Sequence, residues 1–93
     1  MSILVRIGPF VPTYISTTTT TQVKTGNGIL HAIIIGETAA GAISIIDNTE
    51  GSTVNIGTLK ASIVEGTYVF NCVFGAGLRI ITAASSKLTV LWE

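Results

Sequence analysis

The sequence predicts an all-β protein: a small antiparallel β-sandwich, jelly-roll-like, of about eight strands with an extended N-terminal arm. Three observations predict it. Fourteen Ile, fourteen Thr and eight Val make more than a third of the 93 residues β-branched, and such side chains are stiff at χ1 and fit a pleated, half-buried surface. Turn-forming clusters such as Gly26-Asn27-Gly28, Asp47-Asn48-Thr49-Glu50-Gly51-Ser52 and Gly75-Ala76-Gly77 recur at short intervals, the spacing of a sandwich or barrel. No window longer than ten residues carries a clean 3.6-residue apolar period with caps, so little or no helix is expected.

Taken in order, Ile3 to Ile7 reads as a short strand stopped by Gly8-Pro9. Pro9 and Pro12 bracket an extended arm, because proline and the residue before it avoid helix. Ser16 and the threonines Thr17 to Thr21 read as an edge strand with polar side chains on both faces. A threonine surface facing ice or glycan would need a repeat, and none recurs. The arm is assigned to residues 1–22 and the sandwich to 23–93. Thr20 to Thr25 leads into Gly26-Asn27-Gly28, a hairpin signal because Gly and Asn tolerate positive φ. Ile29 to Ile35 and Ala42 to Ile46 are the next strands, the second ended by the Asp47-to-Ser52 loop. Val54 to Ile63 follows, with a bulge expected at Gly57. Thr67 to Phe74, Leu78 to Thr82 and Lys87 to Trp92 complete the set.

Alternation orients the strongest strand. Tyr68, Phe70, Cys72 and Phe74 share the face expected in the core, and Val69, Asn71 and Val73 share the other. That second face is only partly polar. Ile33-Ile34-Ile35 and Ile80-Ile81 are apolar on both faces, whereas one face of an antiparallel sheet is ordinarily wet. Only 11% of the residues are charged and the formal net charge is zero. A domain this small buries only about 60–65% of its unfolded surface alone, so part of the exterior is expected to be covered by another protein.

Several function classes are disfavoured. Arg6, Lys24, Lys60, Arg79 and Lys87 are scattered along the chain, with no cluster to neutralise a phosphate track or bind a membrane surface. Ile29 to Ile46 has the length of a membrane span, but His31, Gly36, Glu37 and Gly41 interrupt it, and a charge near mid-span is costly. The N-terminal apolar run is too short for a signal peptide and precedes Arg6 instead of following it. One cysteine, Cys72, permits no intrachain disulfide and no cysteine-based zinc site. A nucleophile would need Cys72 to meet the one histidine, His31. Cys72 lies between Phe70 and Phe74 and reads as a packing residue instead. Asp47, Asn48 and Glu50 could approach a calcium ion, but they match no EF-hand spacing and are too few. No enzyme activity, cofactor or metal is expected. Gly77, between two apolar strands, is expected to need a positive φ.

The order of motifs resembles a known family. Val23-Lys24-Thr25-Gly26-Asn27-Gly28-Ile29-Leu30-His31, Ile45-Ile46-Asp47-Asn48, Gly66-Thr67-Tyr68-Val69-Phe70-Asn71, Phe74-Gly75-Ala76-Gly77-Leu78 and Leu88-Thr89-Val90-Leu91-Trp92-Glu93 together resemble small tailed-phage virion proteins. The resemblance covers Val23 to the C-terminus. It departs at Ile46, where an aromatic often precedes the Asp-Asn pair, and at Asn71, where an Asp often follows the Phe. It implies a structural protein that decorates or cements the capsid by binding between subunits, made in the host cytoplasm and carried on the virion surface. The implied partner is the major capsid protein or another virion protein, with a homo-oligomer, a trimer by preference. A receptor- or carbohydrate-binding module of a fibre or spike is the alternative. The expected contact residues are Phe10, Val11, Tyr14, Ile15, Leu91 and Trp92, because the arm is expected to add contacts without supplying the main core and Trp near the C-terminus is a frequent interface anchor.

Overall fold

A computed structural model describes residues 10–49 and 52–93. Its eight strands are β1 (Val11–Ile15), β2 (Thr19–Thr25), β3 (Gly28–Glu37), β4 (Ile43–Thr49), β5 (Ser52–Leu59), β6 (Gly66–Phe74), β7 (Gly77–Thr82) and β8 (Lys87–Trp92). They form two four-stranded antiparallel sheets, ordered β1-β8-β3-β6 and β2-β7-β4-β5. Only β4 and β5 follow one another within a sheet; every other connection passes from one sheet to the other. This is jelly-roll topology.

Three segments differ from their sequence reading. The expected strand Ile3 to Ile7 lies outside the described residues. The arm assigned to 1–22 is no separate arm from Val11 onward. β1 pairs along its length with β8, and β2 with β7, so the boundary at residue 22 falls inside an edge strand. Pro12 suits β1 because an edge strand needs hydrogen-bond donors on one side only. Gly26-Asn27-Gly28 is not a hairpin. It carries the chain from β2 in one sheet to β3 in the other, with Gly26 at φ 95° and its N–H donating to the Ala76 carbonyl at 2.9 Å. The Asp47-Asn48 pair likewise belongs to β4, and the rest of the expected loop up to β5, residues 50–51, lies outside the described residues.

The core lies between the sheets. Ile15, Leu30, Ile33, Ile35, Leu88, Val90 and Phe74 come from one side, and Ile43, Ile45, Leu59, Leu78 and Ile80 from the other. Tyr68, Phe70 and Cys72 pack against this cluster, as the alternation in β6 predicts. In β3 the inward residues are Leu30, Ile33 and Ile35, an odd step that strict alternation forbids. The register shifts at His31 against both neighbouring strands, and these bulges restore the phase. A further shift lies at Ile56 in β5, opposite the Ile45–Ile46 step, one residue before Gly57. Thr82, buried in β7, secures the β2 edge: its hydroxyl accepts from the Thr19 N–H at 3.0 Å and donates to the Thr17 carbonyl at 2.6 Å.

Candidate functional site: the outer face of the first sheet

Side chains of directly paired residues share a face of an antiparallel sheet. The register therefore draws rows across the outside of the β1-β8-β3-β6 sheet. One row is Pro12–Leu91–Ala32–Val69 and the next is Tyr14–Thr89–Ile34–Thr67. Val73 lies further along β6. Tyr14 and Val69 are each 62% exposed and Val73 is 76% exposed. The charged side chains borne by these four strands are Lys87 and Glu37, which pair with each other at 3.0 Å at one end. The same construction on the second sheet gives Thr20–Ile81–Ser44–Thr58 and Gln22–Arg79–Ile46–Asn55, with the Arg79 guanidinium donating to Gln22 Oε1 at 2.9 Å. One outer face thus carries an apolar row bordered by Thr67 and Thr89, with Tyr14, Val69 and Val73 open to solvent and Ala32 covered at 1% exposure, and the other is predominantly polar. A free domain gains nothing by leaving an apolar face in water.

His31 occupies the bulge on this apolar face. Its Nδ1 lies 2.6 Å from Asn71 Oδ1, and the Phe10 ring stacks on the imidazole with centroids 4.1 Å apart and planes 8° from parallel. Asn71 has φ 48°, a left-handed conformation that Asn adopts more readily than most residues. An Asn inside the apolar strand Val69–Phe74 was the one available sign of this irregularity. Cys72 points to the core and His31 away from it, so the thiol and imidazole do not meet. Desolvation pushes the Cys72 thiol above its ordinary pKa, the direction of an unreactive group.

The expected contact residues divide. Tyr14 and Leu91 lie on the apolar face, and Phe10 reaches it over His31. Val11 is exposed at the start of β1. Ile15 is a correction: it is 4% exposed and part of the core, because the pleat that turns Tyr14 outward turns its neighbour inward. Trp92 is half-buried: it shares the inward side with Leu88 and Val90, packs against the core, and donates its indole N–H to Thr13 Oγ1 at 2.9 Å.

The Asp47 carboxylate is also committed within the fold. It accepts backbone N–H groups from Gly75 at 2.8 Å, Ala76 at 2.9 Å and Gly77 at 3.2 Å. Donation from Gly75 and Ala76 foremost, with Gly77 adding, holds its pKa below the ordinary carboxylate value. The expected calcium candidate therefore braces the β6–β7 crossing. Among the described residues no group of three or more His, Cys, Asp or Glu side chains is placed to hold a metal ion. An open groove lined by Lys24, Asn27, Gly28, Val73 and Glu93 runs beside this crossing. No described helix is long and apolar enough to cross a membrane.

No protein-family model matches the chain, and no curated protein matches it. Among solved structures it is similar to the Drosophila NLP core, a nucleoplasmin-type domain whose crystal structure bears on pentamer formation and histone binding. The TM-score is 0.56 at 15% identity, over 89% of this chain and 94% of that one. The likeness supports the β-sandwich fold. It corrects the expectation of a capsid-decorating or cementing virion protein, and with it the phage-fibre alternative. Histone binding and pentamer formation are properties of that core; what this chain shares with it is the β-sandwich fold. The motifs behind that expectation are turn and strand signals, which any sandwich of this order needs, so they carry fold and not role.

Proposed function

We propose that this chain is a non-catalytic, homo-oligomeric subunit, a nucleoplasmin-type sandwich that self-assembles through its apolar outer sheet face into a ring and serves as a protein-binding scaffold. The observation that carries the reading is the pair of rows Pro12–Leu91–Ala32–Val69 and Tyr14–Thr89–Ile34–Thr67. Burying an exposed Tyr, Val or Leu contributes about 1.5–3 kcal/mol each. Tyr14, Val69 and Val73 alone then supply about 4–9 kcal/mol if fully buried, within the roughly 4–15 kcal/mol that association costs in rigid-body freedom. A net charge of zero leaves no overall repulsion between copies. Five subunits replace the expected trimer as the favoured stoichiometry, on the strength of the likeness to a pentamer-forming core.

Sedimentation velocity and native mass spectrometry test this at neutral pH. The expected result is one discrete oligomer, a pentamer, dissociated by Val69→Lys with the β-sheet spectrum retained. A monomer at every concentration up to about 100 µM, a range in which even weak specific association is measurable, would overturn it. Histone binding is a second reading, favoured by the same likeness. Charge weighs against it, because a basic partner calls for an acidic surface and the apolar face bears one balanced ion pair. Saturable binding of purified core histones at about 0.15 M salt, where exposed charge attraction is screened within ~8 Å, would support it; no binding at low salt would remove it.

A further inference from the structure

We infer that Asn27 is this chain's site of spontaneous deamidation, and that the crossing from β2 to β3 sets its rate by restraining Gly28. The chain has four asparagines. Asn48, Asn55 and Asn71 precede Thr49, Ile56 and Cys72, whose side chains hinder the backbone nitrogen beside them, and Asn48 is also buried. Asn27 is exposed and precedes Gly28, where no side chain shields the nitrogen. The fold demands that glycine. A Cβ at residue 28 would lie 2.5 Å from the Glu93 carbonyl oxygen and 2.6 Å from the Phe74 ring. A labile amide and an open backbone nitrogen are thus built into the passage from one sheet to the other.

The Gly28 nitrogen, on losing its proton, attacks Asn27 Cγ. The N–Cγ bond forms, the Cγ–Nδ2 bond breaks, and Nδ2 takes up that proton and leaves as ammonia. The product is a five-membered succinimide. Water then opens the ring at Cγ, giving aspartate, or at the residue 27 backbone carbonyl, giving a β-linked isoaspartate. Either product adds a negative charge beside the groove that Lys24 lines, and the second also lengthens the main chain by one atom. The attack requires Gly28 to leave its place in the sheet. Gly28 pairs with Phe74 of β6, and Ile29 exchanges two 2.9 Å hydrogen bonds with Glu93. Successive residues of a strand turn their N–H groups to opposite neighbours, so Gly28 directs its N–H toward β6. On the other side of Asn27, Gly26 donates its N–H to the Ala76 carbonyl at 2.9 Å, and the Ala76 N–H is itself held by Asp47 at 2.9 Å. Ring closure therefore waits for the crossing to open, and the native rate is the unfolded rate scaled by the fraction of time spent open. Asp47, acting through Ala76, keeps that fraction small.

The test incubates the full-length wild type, Asn27→Ser, Asp47→Ala and Asp47→Asn at neutral pH, both folded and in urea. Peptide mapping by mass spectrometry follows amide loss at each asparagine, and circular dichroism confirms which variants fold. Asn27 should convert first in both conditions, and at least tenfold more slowly in the folded wild type, which corresponds to an opening free energy of about 1.4 kcal/mol or more. Asn27→Ser should abolish this early conversion. An Asp47 variant that folds should convert at least about threefold faster than the folded wild type and match it in urea. Earlier loss at another asparagine, equal rates in folded and denatured wild type, or a folded Asp47 variant that converts at the wild-type rate would overturn the inference.

Discussion

Replacing Asp47 with Ala removes the acceptor for three backbone donors at once. Gly75, Ala76 and Gly77 direct their N–H groups at this one carboxylate from 2.8, 2.9 and 3.2 Å. A hydrogen bond to a charged group is worth about 1.5–3 kcal/mol, so three independent bonds would total roughly 4–9 kcal/mol. They are not independent, and water reaches the exposed side of the turn to replace part of the loss. The expected cost is about 2–3 kcal/mol. Asp47→Asn keeps one oxygen but turns an NH2 group toward one of the donors, and should cost about 1–2 kcal/mol. The pH dependence has a defined sign. The folded-state pKa is depressed, so the contribution is fully present above the unfolded value of about 3.9 and is lost as pH falls through the lower folded value. Urea denaturation followed by fluorescence of the single tryptophan, Trp92, gives the free energies. Wild type and Asp47→Ala should differ most at pH 7 and converge toward pH 2. A gap below about 0.5 kcal/mol at pH 7, or one that persists unchanged at pH 2, would refute the argument.

Gly77→Ala should destabilise by more than about 1–3 kcal/mol, because a Cβ there would meet the Asn48 carbonyl at 2.6 Å, Gln22 Nε2 at 2.8 Å and the Lys24 carbonyl at 2.9 Å; thermal melting checks it. Deleting residues 1–22 should unfold the domain, since it removes β1 and half of β2, and a truncated chain with a native β-sheet spectrum would contradict this. Cys72 should react slowly with a thiol reagent until denaturant is added, and Cys72→Ser should cost about 1–3 kcal/mol by placing a hydroxyl against the hydrophobic core; rapid native labelling would count against the packing role.

The strand inventory was legible because it depends on local properties. β-branched side chains, turn residues and the alternation in Thr67 to Phe74 act over a few positions, and the core face of β6 follows from them directly. What was hidden depends on the partner strand. Gly26-Asn27-Gly28 has hairpin chemistry, yet its flanking strands pair with β7 on one side and β6 and β8 on the other. Nothing local distinguishes a turn within a sheet from one between sheets. Ile15 looked like part of a free arm because its pairing partner, Leu88, lies 73 positions away. Gly77 was expected to need positive φ, but no positive φ occurs there. The demand for glycine comes from β2 and β4 crowding it. Of the apolar face, its hydrophobicity was readable in Ile34, Val69 and Val73, but its rows required the register. The bulge that presents His31 arises where β3 meets both neighbours, so Asn71 alone could hint at it.

The place of β8 carries a consequence for how the chain reaches this structure. β8 lies in the interior of its sheet, hydrogen-bonded to β1 on one side and β3 on the other. During synthesis, β1 and β3 emerge early and wait for the strand that joins them. Loop closure over such distances is entropically unfavourable before the contacts that reward it can form, and folds dominated by non-local pairing fold in milliseconds to seconds, not microseconds. Until β8 arrives, β1 and one margin of β3 are open strand edges bordered by apolar side chains, the kind of surface that pairs with other chains. Folding yield should therefore respond to how soon β8 is delivered to its place between β1 and β3.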